Sequence, residues 1–273
     1  MTMSLAELLS DLTDEQAALA TVLRDLPADA WDRPTHAPGW MVRDQVAHLA
    51  STDESATRAI VEPEAFLAAK SQRVGDGEDL GPSFLERGRA MSPSELLAWW
   101  QTAAHNLIVA AERVDPAARL PWFGPAMSPA SFLTARLMET WSHGLDVVDV
   151  TGAERPDADR LRHVARLGVM TRPFSYRIRG VELPPDPVWV ELMAPSGERW
   201  TFGEPGGSNR VRGTATDFCR VVTQRRHPAD TDLIVDGDVA REWLLIAQAF
   251  AGPPGEGRRP GQFPRESGPT SPG

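Results

Sequence analysis

Apolar residues recur every three or four positions over four long stretches of the first 150 residues, the spacing that places them on one face of a helix. The first stretch runs from Ser4 to Leu26, and leucine and valine supply its apolar face. The second runs from about Met41 to Val61, the third from Ser92 to about Val114 and the fourth from Ser128 to about Val150. Four long amphipathic helices joined by loops predict a four-helix bundle.

Two of these stretches begin with recognisable helix start signals. In Ser92-Pro93-Ser94-Glu95, serine stands at the cap, proline at the first helical position and glutamate at the third. Ser128-Pro129 repeats the first part of this arrangement. Between the second and third helices, we predict a short acidic helix from Pro63 and a Gly- and Asp-rich loop from Gly75 to Pro82.

The pattern changes after Gly180. Val188–Met193 and Arg199–Phe202 are short β-prone runs separated by Pro-Ser-Gly, which predicts a hairpin. Further strands are predicted near Val211 and over 233–238. Additional helices are predicted over about 157–177, 216–226 and 239–250.

These patterns predict the α+β fold class, with an N-terminal four-helix bundle and a smaller C-terminal domain. A chain of 273 residues is long enough for both to bury a core. The last residues are rich in Pro, Gly, Arg and Ser without periodicity, which is typical of disorder. The predicted boundaries are a bundle over 1–155, a connecting helix over 156–180, a small α+β domain over 181–251 and a disordered tail over 252–273.

Charge and composition exclude several classes of function. The formal net charge of −10 argues against binding to nucleic acid or to an anionic membrane, which favours a basic surface. No apolar run approaches the roughly 20 residues that span a bilayer, and the N-terminus lacks the basic region of a signal peptide. Cys219 is the only cysteine, so an intramolecular disulfide is excluded. We expect a cytoplasmic monomer or homodimer.

The basic residues are almost all arginine, and Lys70 is the only lysine. Together with the 24 prolines and abundant alanine, this bias is typical of high-GC genomes and indicates an actinomycete source. It says nothing directly about the chemistry of the protein.

Candidate metal ligands lie on two of the predicted helices. Glu139 and His143 are four residues apart on the fourth helix, so they lie one turn apart on the same face. His48, on the second helix, is a candidate third ligand. Two imidazoles and a carboxylate suit a divalent transition metal such as zinc, and three protein ligands leave one position open for chemistry.

Spacing alone is weak evidence for this site. The histidines with an acidic residue four positions earlier are His36, His48, His143 and His163. His36 lies in a Pro-rich loop, and His163 in an Arg-rich helix that we expect to be solvated. The polar stripe that contains Glu139 and His143 fits a solvated surface as well as the wall of a metal pocket, and helical phase does not decide between them.

Neighbouring side chains offer alternatives. His105, on the third helix, is a substitute ligand, a core histidine or a pocket wall. Asp44 suits a partner that holds His48, because a ligating imidazole usually donates its second nitrogen to a carboxylate or carbonyl. Asp53 and Asp146 are further candidates for that supporting role.

Residues Pro38 to Leu49, Pro-Gly-Trp-Met-Val-Arg-Asp-Gln-Val-Ala-His-Leu, resemble the P-G-W-[ST]-V-x-D-x-x-A-H-L signature of the mycothiol-dependent maleylpyruvate isomerase family, within the DinB-like metalloprotein superfamily. Met41 departs from the small polar residue of that signature. Glu139-x-x-x-His143 resembles the family's second ligand pair. The resemblance implies a DinB-like bundle that binds a divalent metal, usually Zn2+, through His48, Glu139 and His143.

The resemblance also implies a reaction. Family members use a low-molecular-weight thiol, commonly mycothiol. A free thiol has a pKa of about 8.5, and this pKa falls when the sulfur coordinates a metal. The thiolate would attack an electrophilic carbon of a small-molecule substrate. Addition, bond rotation and elimination would give a cis–trans isomerase, and addition alone would give an S-transferase. The alternatives are a hydrolase or lyase with a metal-bound water, for which Asp53 is the candidate base, and a non-catalytic metal-binding protein.

Other site residues are less specific. In the isomerase an arginine of the second domain helps the active site, and Arg225 or Arg226 is the nearest candidate here. Trp40 and His105 are candidate contacts for the thiol cofactor. The tryptophans considered as pocket walls, with core packing as the alternative, are Trp40, Trp99, Trp100 and Trp141.

Overall fold

A computed structural model of the chain describes residues 4–76 and 82–263. The chain divides into two units, Met1–Pro156 and Asp157–Gly273. The described part of the first unit is helical, and the second unit combines helices with a four-stranded sheet. The predicted α+β fold class is confirmed. Among the described residues, no helix combines the length and the apolar character needed to cross a membrane.

The first unit is a bundle of long helices with two shorter ones. In chain order its helices are α1 (Leu5–Asp25), α2 (Val42–Val61), α3 (Pro63–Asp76), α4 (Pro82–Ala90), α5 (Pro93–Ala111) and α6 (Pro129–Thr151). The long helices α1, α2, α5 and α6 pack against one another, α1 and α2 each contacting both α5 and α6. They match the four amphipathic stretches of the sequence, so the predicted bundle is confirmed.

Capping side chains set where these helices begin. The Ser92 hydroxyl accepts a hydrogen bond from the Glu95 backbone N–H at 3.3 Å, and the Glu95 carboxylate accepts from the Ser92 N–H at 2.8 Å. This reciprocal pair satisfies backbone donors that the first turn of α5 leaves unpaired. At the start of α6 the Ser128 hydroxyl accepts a single such bond, from the Ser131 N–H at 3.2 Å. Gly152 ends α6 at φ 71°, a left-handed conformation that glycine adopts without strain.

Large aromatic side chains fill the core of the bundle. Trp31, Trp100 and Trp141 are each at most 2% exposed, and Trp99 is 8% exposed. Burying a side chain of this size contributes several kcal/mol of apolar transfer free energy at about 25 cal/mol per Å2. Trp99, Trp100 and Trp141 are therefore core residues, the alternative weighed against a role as pocket walls.

Two arginines fasten α4 to the start of α2. Arg43 donates from Nη1 to the carbonyls of Gly88, Arg89 and Met91, at 3.1–3.4 Å, where α4 ends. In return Arg89 pairs with the buried Asp44 carboxylate at 2.8 Å. Helix α4 occupies part of the predicted Gly75–Pro82 loop and the residues after it, and residues 77–81 of that loop lie outside the described ranges.

The second unit is a small sheet with helices packed on it. Its helices are α7 (Leu161–Met170), α8 (Arg172–Arg177), α9 (Ala215–Val222) and α10 (Asp238–Ile246). Its strands are β1 (Trp189–Met193), β2 (Arg199–Phe202), β3 (Arg210–Thr214) and β4 (Ile234–Asp236). The strand order is β2-β1-β3-β4, with β1 and β3 parallel and the outer pairs antiparallel. The predicted hairpin is the β1–β2 pair.

The segment expected to be a connecting helix instead belongs to the core of the second unit. It forms two helices, α7 and α8, and α7 packs on α9. His163 faces this core and is only 3% exposed, which corrects the expectation that it is solvated. Leu161 and Val164 of the same helix are also buried, so α7 is covered on more than one side and leaves His163 little contact with solvent.

Part of the expected disordered tail is held in place. The Gly255 N–H donates to Oε1 of Gln248 at 3.0 Å, and the Gly261 N–H donates to Oδ1 of Asp230 at 2.7 Å. These bonds fix residues up to 263 on the second unit, because the buried Gln248 amide needs partners that the tail backbone provides. Residues 264–273 of the expected tail lie outside the described ranges.

Candidate metal centre

Three side chains from two segments that are distant in sequence meet between α2 and α6. His48 lies in the middle of α2, on the flank of the apolar stripe that includes Val46 and Leu49. Glu139 and His143 lie one turn apart on α6. Nε2 of His48 is 3.3 Å from Oε2 of Glu139, and Nε2 of His143 is 3.0 Å from the same oxygen. The two imidazole rings are 4.5 Å apart between centroids.

The geometry of this trio suits a single ion. One ligand atom from each residue lies within 4.8 Å of the others, so one divalent ion could reach all three after small side-chain adjustments. The side chains of His48, Glu139 and His143 are 22%, 23% and 12% exposed, so the cluster is open on one side. Two imidazoles and one carboxylate with an open side are the donor set of a catalytic zinc site.

The charges of the trio also suit metal binding. Burial lowers the pKa of His48 to about 4, with a smaller contribution from the positive charge of His143, so the ring is neutral at pH 7. Burial opposes ionisation of Glu139, but hydrogen bonds and charges from His143 and His48 together hold the pKa of its carboxyl well below the usual value. A neutral imidazole and an ionised carboxylate are the forms that bind metal.

An aromatic wall stands beside the trio. The ring of Trp40 stacks on His143 at 6.0 Å and lies 5.4 Å from His48. The ring of Phe84, on α4, lies 5.6 Å from His48 and 5.7 Å from Trp40. Trp40 is partly exposed and Phe84 is buried, so the wall limits access of water to one side of the trio.

The supporting contacts differ from those expected. The Asp44 carboxylate, expected to hold His48, instead accepts a hydrogen bond from the Met41 N–H at 2.9 Å and binds Arg89 at 2.8 Å. Asp44 is the third residue of α2 and caps that helix, which is why its carboxylate is not available to hold His48. The side chain that supports an imidazole of the trio is Gln45, whose Oε1 lies 2.5 Å from Nδ1 of His143.

Two other acids lie close to the trio. Oδ2 of Asp146 is 3.7 Å from Nδ1 of His143. Asp53 is fully buried and pairs with Arg136 at 2.9 Å, and Arg136 also donates to the Thr52 hydroxyl at 2.9 Å. Asp53 is therefore held in an ion pair, five residues after His48 on α2, rather than placed to act as a base.

Sequence comparison identifies the family. The family described as "Mycothiol maleylpyruvate isomerase N-terminal domain" matches residues 12–148, a range that includes the whole trio. This chain belongs to that family. Two Mycobacterium tuberculosis relatives, uncharacterized protein MT0041 of strain CDC 1551 / Oshkosh and uncharacterized protein Rv0036c of strain H37Rv, are each 44% identical over 253 residues. The match covers 91% of this chain and 97% of each relative.

Solved structures extend the likeness to the fold. The crystal structure of the mycothiol-dependent maleylpyruvate isomerase matches with a TM-score of 0.58 and 17% identity, over 83% of this chain and 93% of that chain. A histidine-to-alanine mutant of the isomerase matches with a TM-score of 0.57 and 16% identity over the same shares. At this identity the likeness establishes a shared fold.

The remaining candidates from the sequence are His105, Arg225 and Arg226. His105 is exposed on α5 and is outside the three-residue cluster. Arg225 and Arg226 follow α9 in the second unit and are partly exposed. Nη1 of Arg225 donates to the Thr223 carbonyl at 2.8 Å, and the Arg226 guanidinium lies over the Phe263 ring at 3.8 Å.

Sequence reasoning missed two residues that contact the trio, Gln45 and Phe84. Gln45 lies three positions before His48, so helical spacing places it on the same flank, and a buried amide needs partners. The helical spacing therefore indicated Gln45, but it did not indicate His143 as the partner of its amide. Phe84 lies on α4, between the loop predicted to end at Pro82 and the helix predicted from Ser92, where no element was predicted. The packing of α4 on α2 brings its ring to His48.

Proposed function

We propose that the chain is a metal-dependent enzyme that uses a low-molecular-weight thiol, mycothiol, to isomerise an electrophilic small molecule. The observation that carries the proposal is the convergence of His48, Glu139 and His143 within 4.8 Å on an open side of the bundle. Membership of the mycothiol maleylpyruvate isomerase family supports the choice of thiol and of reaction class.

The residues present fit a divalent metal such as Zn2+. His48 and His143 would offer imidazole nitrogens and Glu139 a carboxylate oxygen, the ligand types that zinc prefers. Such an ion would supply Lewis acidity that makes a bound thiol more acidic than its usual pKa of about 8.5. The neutral state of the His48 ring and the ionised state of Glu139 require no proton to be displaced from them at pH 7.

The surrounding side chains would orient the substrate and exclude water. Trp40 and Phe84 form an apolar wall beside the trio, and apolar walls around a charged centre strengthen its electrostatic interactions. From the family resemblance, Arg225 or Arg226 of the second unit is proposed to bind an anionic group of the substrate, because guanidinium groups bind carboxylates with two parallel hydrogen bonds.

The site favours thiol chemistry over hydrolysis. A hydrolytic reaction would require a general base beside the ion, and Asp53, the candidate from the sequence, is fully buried in an ion pair with Arg136. S-transfer uses the same residues as isomerisation. We favour isomerisation because the solved structures with this fold are described as a mycothiol-dependent maleylpyruvate isomerase.

Metal content is the first test. Elemental analysis of the purified protein should give about one divalent metal per chain, and His48→Ala and Glu139→Gln should each remove it. His105→Ala is the matched control, since this exposed histidine lies outside the cluster and its loss should leave the metal in place. Equal metal content in the wild type and His48→Ala would refute the site.

Thiol binding and turnover are the second test. Mycothiol should raise the melting temperature of the Zn2+-loaded protein and have no effect after EDTA treatment. Maleylpyruvate, presented with mycothiol, should isomerise at a rate that Arg225→Ala or Arg226→Ala reduces. A metal-loaded protein that neither binds mycothiol nor depends on it for activity would exclude the thiol mechanism while leaving the metal site intact.

A further inference from the structure

The buried amide of Gln45 connects His143 to the loop that precedes α2. We infer that Gln45 is a positioning residue that keeps a hydrogen on Nδ1 of His143 and so leaves Nε2 to face the ion. This inference rests on the proposed metal-binding role of the trio. The supporting observation is a chain of hydrogen bonds from the Trp40 carbonyl through Thr35 and Gln45 to His143, in which each donor and acceptor can be assigned.

The first link fixes the Thr35 hydroxyl. Its oxygen lies 2.9 Å from the carbonyl oxygen of Trp40, and a carbonyl can only accept, so the hydroxyl hydrogen points to Trp40. The Thr35 oxygen then has only lone pairs to offer to other neighbours. The Ala37 N–H, at 3.3 Å, uses one of them, which agrees with this orientation.

The second link fixes the Gln45 amide. Since the Thr35 oxygen can only accept from Gln45, the group that faces it at 2.8 Å is the amide NH2. The amide oxygen is therefore turned to His143, where it lies 2.5 Å from Nδ1. An amide oxygen can only accept, so Nδ1 of His143 must carry the hydrogen.

The third link points Nε2 into the trio. In a neutral ring with its hydrogen on Nδ1, Nε2 has a lone pair, and it lies 3.0 Å from the Glu139 carboxylate oxygen. Two electron-rich atoms at this distance need a positive charge between them. A metal ion bound to Nε2 of His143 and to the Glu139 carboxylate would supply that charge.

Burial makes this arrangement specific to Gln45. Gln45 is fully buried, so no water competes for its amide. The other acceptor near Nδ1 is Asp146, whose nearer oxygen is 3.7 Å away, beyond a direct hydrogen bond. Removing the Gln45 amide would therefore leave the imidazole without its orienting partner.

The chain of bonds also joins the ligand to the aromatic wall. The Trp40 backbone anchors Thr35, and the Trp40 ring stacks on His143 at 6.0 Å. Trp40 thus restrains His143 in two ways, through the Thr35 and Gln45 hydrogen bonds and by stacking on the imidazole ring. Substrate contacts at Trp40 and the orientation of the metal ligand would change together.

Metal titration of a matched set of variants tests the inference. In Co2+ titrations followed by visible absorption, Gln45→Leu should bind about 10- to 100-fold more weakly than the wild type. Gln45→Glu keeps an acceptor for Nδ1 and should bind within a few-fold of the wild type. Thr35→Val frees the amide to turn and should fall between the wild type and Gln45→Leu. Gln16→Leu, which removes another buried amide of the first unit, should bind as the wild type does.

Nitrogen-15 NMR of the metal-free protein gives a readout independent of metal affinity. The wild type, Gln45→Glu and Gln16→Leu should show a downfield, slowly exchanging proton on Nδ1 of His143, assigned by its loss in His143→Asn. Gln45→Leu should lose this signal to exchange with water.

The outcomes separate the inference from the proposed function. Unchanged Co2+ affinity together with a retained Nδ1 proton in Gln45→Leu would overturn the role of Gln45. A wild type that binds no Co2+ would overturn the metal site. The Nδ1 signal would still decide whether Gln45 orients His143.

Discussion

A Cβ atom added to Gly88 would lie 2.5 Å from the Cβ of Ala47, so α4 approaches α2 at a distance that only glycine permits. Ala47 immediately precedes His48, and Phe84, one turn before Gly88, contacts the His48 ring. The mutual bonds of Arg43 and Arg89 hold the same two helices together. The close approach thus determines where the aromatic wall stands.

Gly88→Ala should therefore destabilise the bundle and displace Phe84. Overpacking of a tight contact typically costs about 1–3 kcal/mol of unfolding free energy, because backbone rather than a flexible side chain must move. Urea unfolding measures this loss. Gly124→Ala is the matched control, since a Cβ there meets nothing within 4 Å. Equal stability of the two variants would show that α4 moves freely on α2.

The buried pair of Arg136 and Asp53 supports a second prediction. Both side chains are at most 3% exposed, so Arg136→Met should leave an uncompensated carboxylate and cost about 3–5 kcal/mol. Replacing both residues, as Arg136→Met with Asp53→Leu, should recover much of that loss, because neither charge remains. Chemical denaturation of the single and double variants gives the coupling free energy. A double variant as unstable as the sum of the single variants would contradict the pairing.

Stability of the metal-free protein should depend on pH through His48. The pKa of His48 is about 4 in the folded protein and lies near its ordinary value of 6.5 after unfolding. The unfolded chain therefore binds more protons between these values, so the stabilising contribution is complete above pH 6.5 and is lost as the pH falls toward 4.

We expect the unfolding free energy of the wild type to fall more steeply than that of His48→Ala between pH 7 and pH 4.5. The depressed pKa of Glu139 acts in the same direction and depends partly on His48. Urea titrations in EDTA at several pH values measure both slopes. His105→Ala should keep the wild-type slope, and a His48→Ala slope equal to the wild type would argue against a buried neutral His48.

The single thiol of the chain should be unreactive. Cys219 is fully buried in α9, and burial raises the pKa of its thiol well above the usual value. Labelling by an aromatic disulfide reagent should proceed only as fast as the protein opens, and urea should accelerate it strongly. Rapid labelling of the native protein would show that the second unit opens easily.

Much of the fold could be predicted because its signals are local. The apolar spacing of the four long helices, the Ser92 cap and the β-prone runs around Trp189 and Trp200 each depend on residues close in sequence. Helix α4 and the packing of His163 could not be predicted in this way. Their environment is set by contacts with α2 and α9, which lie far along the chain.

The candidate site likewise combines features set by residues close in sequence with features set by contacts far along the chain. The spacing of Glu139 and His143 is shared by other acid–histidine pairs of the chain, so it could not single them out. Asp44 matched the expected chemistry of a histidine partner, yet its position at the start of α2 commits it to capping. Gln45 carried no chemical signature, and only the facing helix α6 gives its amide a partner. The family signature supplied what local spacing could not.

The separation of the trio along the chain links ion binding to folding. His48 and Glu139 are 91 residues apart, so an ion held by both would close a long loop and act as a reversible cross-link between α2 and α6. Bringing the two ligands together in the unfolded chain would cost loop-closure entropy, so the ion would bind the folded chain far more tightly than the unfolded chain. The free metal concentration of the cell would then set not only how much of the protein is active but also how much of it is folded.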